Sequence, residues 1–187
     1  MAEHRFVEIL RRGKYLQLQL DDALVLTINA MLTGRFHWVE AETKKPEQLA
    51  MVLGFDDGHE PRYSDMRRMG RFHLTEADQV DAIPQLGEMG PDVMAIDEAQ
   101  FMALIAKRRG QIKNTLTNQE FVAGIGNVYS DKILWEAKLH THRKCNTMDD
   151  DDIHRLLEAT RSVLERSSAA VSSIAQSEGI DRKEGMT

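Results

Sequence analysis

The chain has 187 residues, enough for one large or two small domains with real cores, and its formal net charge of −6 argues against an unspecific nucleic-acid binder. Its one cysteine, Cys145, excludes an internal disulfide and cannot build a cysteine-rich zinc site by itself. No apolar stretch is long enough to span a bilayer, and the opening MAEHRFVEILRRGK lacks the apolar run of a signal peptide, so a soluble, cytoplasmic protein is expected.

The first part of the chain alternates in strand fashion. In KYLQLQL the apolar residues exchange with Gln17 and Gln19, Asp21 and Asp22 break the run, and LVLTIN follows, which predicts an antiparallel pair. A second pair is expected in LAMVLGF and PRYSD around the turn at Asp56, Asp57 and Gly58, and GRFHLTE supplies another strand. Residues 1–77 are therefore read as β-rich. Gly87, Gly90 and Pro91 lie in a stretch without a period, so 78–95 reads as a linker.

From residue 96 the pattern turns helical, through 175. Asp97 and Gln100 have capping-box spacing ahead of Phe101, Leu104 and Ile105, and a short helix is expected over Ile112 to Thr117. Another should run from Asn127 to about Ala137, with Val128, Ile133, Leu134 and Ala137 toward the core. The last should start near Thr147 or Met148 and bury Ile153, Leu156, Leu157, Thr160, Val163 and Leu164. Its aspartates, Asp149 to Asp152, fall in the first turn, where they complement the helix dipole rather than bind a metal. The polar end, 176–187, is expected to be a loose tail. The architecture is α+β.

Two features point to an anionic partner. In GIGNVYSD, Gly124 and Gly126 permit close backbone approach, and Asn127 stands at a helix N-terminus, where free N–H groups favour an anion. The plainer reading is a tight turn with an Asn cap. Basic residues also cluster, in RRGK, MRRMGR, KRRGQIK and HRK, although any one cluster by itself reads as a solvated face.

The run GQIKNTLTNQEFVAGIGNVYSDKILWEAKLH resembles the helix-two-turn-helix signature of the formamidopyrimidine-DNA glycosylase and endonuclease VIII family of base-excision repair enzymes. RRGKYLQLQL, INAMLTGRF, DDGHEPRYSDMRRMGRF and MGPDVM match the same family in the same order. The resemblance implies a partial antiparallel β-sandwich followed by a helix-two-turn-helix domain, and duplex DNA carrying oxidised bases or abasic sites as partner. It makes Lys14, Lys113 and Asn127, with Gly124 and Gly126, contacts to DNA phosphates, and Met31, Arg67 and Met69 a wedge filling the space left by an extruded base. An enzyme acting on a base must take it out of the stack, and flexible Met and hydrogen-bonding Arg suit that task.

The family chemistry is N-glycosidic cleavage followed by strand scission through a Schiff base, with an N-terminal Pro-Glu as nucleophile and proton carrier. This sequence opens Met-Ala-Glu, so no catalytic residue is assigned, and Ala2 is not expected to reach the same place. Relative to the family the sequence reads as truncated at both ends, without the zinc finger, so no metal or cofactor is expected. Asn29 stands where a His is common, Met69 where Phe is frequent, and Thr141 where Pro is usual. Three readings follow: a glycosylase and abasic-site lyase, a non-catalytic binder of lesion or abasic DNA, and a protein- or RNA-binding module on the same scaffold. Exposed sheet edges make self-association a further expectation.

Overall fold

The computed structural model describes residues 4–177. Seven strands come first: β1 (Phe6–Arg12), β2 (Tyr15–Leu20), β3 (Leu24–Asn29), β4 (Gly34–Glu40), β5 (Leu49–Val52), β6 (His59–Asp65) and β7 (Arg71–Glu76). Four helices follow: α1 (Glu98–Ala106), α2 (Ile112–Thr117), α3 (Asn127–Glu136) and α4 (Asp150–Ser177). Contacts divide the described residues into two compact units, one of 4–9, Tyr15–Thr75 and 170–177, the other of Leu10–Lys14 and Glu76–Ala169. The segment Leu10–Lys14 thus belongs with the helices, although it lies inside the stretch read as β-rich.

In the β unit the strands form two antiparallel sheets, ordered β1-β2-β3-β7 and β4-β6-β5. The expected pairs are present: Leu16 to Gln19 of β2 face Ile28 to Val25 of β3, and β5 pairs with β6. The sequence reading passed over β1 and β4. Strand β4 is the longer partner of β6, running in register from Gly34 opposite Asp65 to Glu40 opposite His59. Between the sheets, the fully buried Tyr63 of β6 meets Phe72 of β7 edge-on, with ring centroids 4.9 Å apart. The equally buried Arg62 is tolerated because its guanidinium pairs with Glu60 at 2.8 Å and donates to the carbonyls of Ala41 and Thr43.

The helical unit has one continuous core from Val93 to Val163. The capping box at the start of α1 is complete: the Asp97 carboxylate accepts from the Gln100 backbone at 2.8 Å, and the Gln100 side chain accepts from the Asp97 backbone at 2.9 Å. Helix α3 with its C-cap buries Ile133, Leu134 and Ala137 as expected, but Val128 is 66% exposed. Seven residues before the exposed Trp135, Val128 lies on the same side of the helix and so points away from that core.

Helix α4 starts at Asp150 rather than Thr147 or Met148, because Cys145–Thr147 form a separate 3-10 turn. Asp149 caps it, accepting from the Asp152 N–H at 2.8 Å. Ile153, Leu156, Leu157, Thr160 and Val163 are buried and Leu164 packs against them, as the period predicted.

The stretch read as a linker is ordered and packed. A 3-10 turn spans Ala77–Ala82, and Val80, Ile83, Leu86 and Val93 are buried. The expected loose tail begins at residue 176, whereas α4 continues to Ser177; the rest of the tail lies outside the described residues. Among the described residues no helix is long and apolar enough to cross a membrane.

Candidate nucleic-acid interface

The helical unit brings together four of the five residues assigned to phosphate contact. Gly124 adopts φ +100°, a left-handed conformation open mainly to glycine, and its N–H donates to the Gln119 side-chain oxygen at 3.0 Å. The Gln119 amide in turn donates to the Ile125 carbonyl at 2.9 Å, so one side chain that the sequence reading passed over closes the loop ahead of α3. Gly126 is the residue flanking α3, and Asn127 is its first residue. No side chain caps this end, so the Asn-cap reading does not hold. The Asn127 side chain is exposed, and the first turn's N–H groups have no intrahelical partner.

Lys14 stands beside this turn. Its Nζ lies 3.5 Å from where a Cβ on Gly126 would sit, so the missing side chain leaves the ammonium room at the helix end. Partial desolvation of that ammonium draws its pKa below the ordinary lysine value. The neighbouring arginines are occupied internally: Arg11 pairs with Asp92, and Arg12 with Asp81, each at 2.5 Å. Among the described residues no carboxylate lies within ion-pair distance of Lys14.

Lys113 differs from this. It sits on α2, but its Nζ is bound by Asp131 of α3 at 2.6 Å, one turn beyond Asn127. The cation expected to face a phosphate is thus held by a carboxylate.

The β unit places Met31, Arg67 and Met69 on two neighbouring crossovers. Both run between the sheets, from β3 to β4 and from β6 to β7, and the Gly34–Asp65 pairing sets them side by side. The first turn is held by Asn29, whose Oδ1 accepts from the Met31 N–H at 3.0 Å, leaving Met31 at φ +53°. Met31 and Met69 are both 41% exposed, against core packing, and Arg67 is exposed too. Leu32, which the sequence reading did not single out, is 66% exposed, and Met66 more so. Met66 and Met69 stand on either side of Arg67 in the chain.

Beneath them lies a polar cluster that the sequence reading missed. The buried Asp65 carboxylate accepts from the Thr33 hydroxyl and from the backbone N–H groups of Arg67 (3.2 Å), Met69 (2.7 Å) and Gly70 (2.8 Å). The Tyr63 hydroxyl lies 3.1 Å from both this carboxylate and the Ala30 carbonyl. A side chain at Gly34 or Gly70 would collide with that hydroxyl. Thr33, then the backbone donors of Gly70 and Arg67 and the Tyr63 hydroxyl, hold the Asp65 carboxyl far below the usual carboxylate range. Burial, with the adjoining carboxylate, pushes Tyr63 up to about 12.

Two family models match this sequence: the formamidopyrimidine-DNA glycosylase N-terminal domain over residues 1–72, and the H2TH domain of the same enzymes over residues 89–178. The chain belongs to the formamidopyrimidine-DNA glycosylase family. A relative so named from Heliobacterium modesticaldum is 34% identical over 96% of this chain and 62% of its own length. Another from Herpetosiphon aurantiacus is 32% identical over 89% of this chain and 61% of its own. The chain therefore spans about six-tenths of the curated relatives it matches.

Among solved structures, MutM in complex with DNA containing carbocyclic 8-oxo-G is similar at TM-score 0.81 and 28% identity, over 88% of this chain and 63% of that one. The Lactococcus lactis glycosylase bound non-covalently to DNA with an abasic site gives 0.80 and 28%, over 87% and 63%. Cys145 is buried in the helical core, its Sγ 3.3 Å from the Thr115 hydroxyl.

Proposed function

We propose that this glycosylase-family chain recognises lesion-bearing or abasic duplex DNA in base-excision repair, gripping phosphates at the start of α3 and filling the emptied base site from the two β-unit crossovers. The observation that carries this reading is Lys14 beside the side-chain-free Gly126, an ammonium with no carboxylate partner among the described residues, at a helix end whose first-turn N–H groups have no intrahelical partner. Asn127 supplies an amide donor at the same end. Exposed Met31, Leu32 and Met69 supply apolar surface for an unstacked gap, and Arg67 supplies donors for the unpaired base. The reading invokes no metal or cofactor. It extends to the cytoplasm, and to self-association through edge strand β1, where Val7 and Ile9 are exposed.

The test is a binding titration on duplexes with and without an abasic site, with borohydride trapping on the same DNA. Lys14→Ala and Asn127→Ala should each weaken abasic-duplex binding by about 1 to 3 kcal/mol, as lost charge-assisted or amide contacts to phosphate. Unchanged affinity in both variants overturns the clamp. A trapped adduct assigns glycosylase and lyase turnover, and mapping it names the amine; tight binding without an adduct assigns recognition without turnover.

A further inference from the structure

We infer that Asp65 is a positioning residue that locks the crossovers Ala30–Thr33 and Met66–Met69 into one preformed inserting element, an inference that rests on the reading above. Met31, Leu32, Met66 and Met69 are exposed, so core packing does not fix where they point. Their backbones are not at rest either, since Met31 and Arg68 adopt φ of +53° and +51°, which non-glycine residues occupy at a cost. Something must hold them, and the Asp65 carboxylate does so from below with five donors: the Thr33 hydroxyl of one crossover, the Arg67, Met69 and Gly70 N–H groups of the other, and Tyr63. The single proton of the Tyr63 hydroxyl is shared between this carboxylate and the Ala30 carbonyl, each 3.1 Å away.

Every loop donor that Asp65 satisfies belongs to a segment carrying an exposed tip or leading directly from it. Thr33 follows Leu32, and Met69 and Arg67 are tips themselves. A buried carboxylate is a costly way to make a turn that glycine or asparagine could make. What it adds is rigidity across two loops at once. Ordering of the two loop backbones then takes place on folding, so binding bears less of the entropy of placing the four apolar tips and the arginine they carry.

The experiment compares Asp65→Asn with the unaltered chain, well below both melting temperatures, reading the ratio of affinities for abasic and intact duplex. Asparagine keeps the shape but replaces one acceptor oxygen by a donor nitrogen. The ratio should fall by about tenfold through the abasic arm, while intact-duplex affinity stays put. Truncating Leu32 and Met31 to Ala should reduce the ratio strongly in the unaltered chain and little in the Asp65→Asn background, since the tips no longer act as a unit. An unchanged ratio in Asp65→Asn with only a lowered melting temperature, or additive losses in the triple variant, overturns the inference.

Should Asp65→Asn not fold, Thr33→Val removes a single bridging donor and carries the same two expectations. No preference for abasic DNA in the unaltered chain defeats the functional reading itself. Preference retained in every variant defeats only the role of Asp65.

Discussion

A carboxylate withdrawn from water is tolerated only when donors replace its hydration, and Asp65 meets that condition in the β unit. The consequence is a pH dependence with a definite sign. Thr33, Gly70, Arg67 and Tyr63 hold the Asp65 pKa far below its unfolded value of about 3.9, so the folded state binds this proton less readily than the unfolded one. The stabilisation is complete above about pH 5 and is lost as pH falls from the unfolded value toward the folded one. Melting temperatures between pH 3 and 7 should therefore drop for the unaltered chain toward the acid end, with a shallower drop in Asp65→Asn, which starts lower at neutral pH. Parallel curves would remove Asp65 from the account. Tyr63 works in the opposite sense: its pKa is raised to about 12, so its neutral hydroxyl supports the fold below the unfolded value of about 10, and this contribution is lost as pH rises through 12.

Between elements, the decisive contact is the Lys113–Asp131 pair joining α2 to α3. Both side chains are partly exposed, so the pair contributes about 0 to 1 kcal/mol to stability, yet it occupies a cation beside the Asn127 turn and places a negative charge there. Asp131→Asn should leave melting nearly unchanged and raise affinity for duplex DNA severalfold, whereas Lys113→Ala should cost less than Lys14→Ala. Weaker binding by Asp131→Asn would mean that the carboxylate orients Lys113 for its phosphate. Most elements around this turn were legible in the sequence because their signals are local: the Asp97 capping box, the four-residue GIGN run and the α4 period each lie within a few positions. Strand β4 is written locally as well, for Phe36 and Trp38 alternate with Arg35 and His37. Edge strand β1 is exposed over most of its length and offers no buried face to read. The Asp65 cluster was illegible for another reason: its link to Thr33 spans 32 residues, and a lone Asp after Ser64 reads as an ordinary turn residue until β4 and β6 are in register.

Across the whole molecule, part of the positive charge is paired internally. Arg11, Arg12, Lys113, Arg143, Arg155 and Arg166 each pair with a carboxylate, so RRGK, KRRGQIK and HRK each hold at least one cation engaged within the chain. Of the side chains proposed to meet DNA, Lys14 and Arg67 are the cations that pair with no carboxylate among the described residues. Affinity for abasic duplex should consequently fall with salt at a log–log slope of only about −2 to −4, at roughly −0.9 per phosphate neutralised. Asp131→Asn should steepen that slope by about one, because it returns Lys113 to the DNA. The ratio of abasic to intact affinity should behave differently. It arises from apolar tips entering an unstacked gap, a contribution without counterion release, so it should hold nearly constant between 50 and 200 mM salt while both affinities fall. A ratio that collapses with salt would assign the discrimination to charge, and would shift the weight of recognition from the crossovers of the β unit to the helix end beside Lys14.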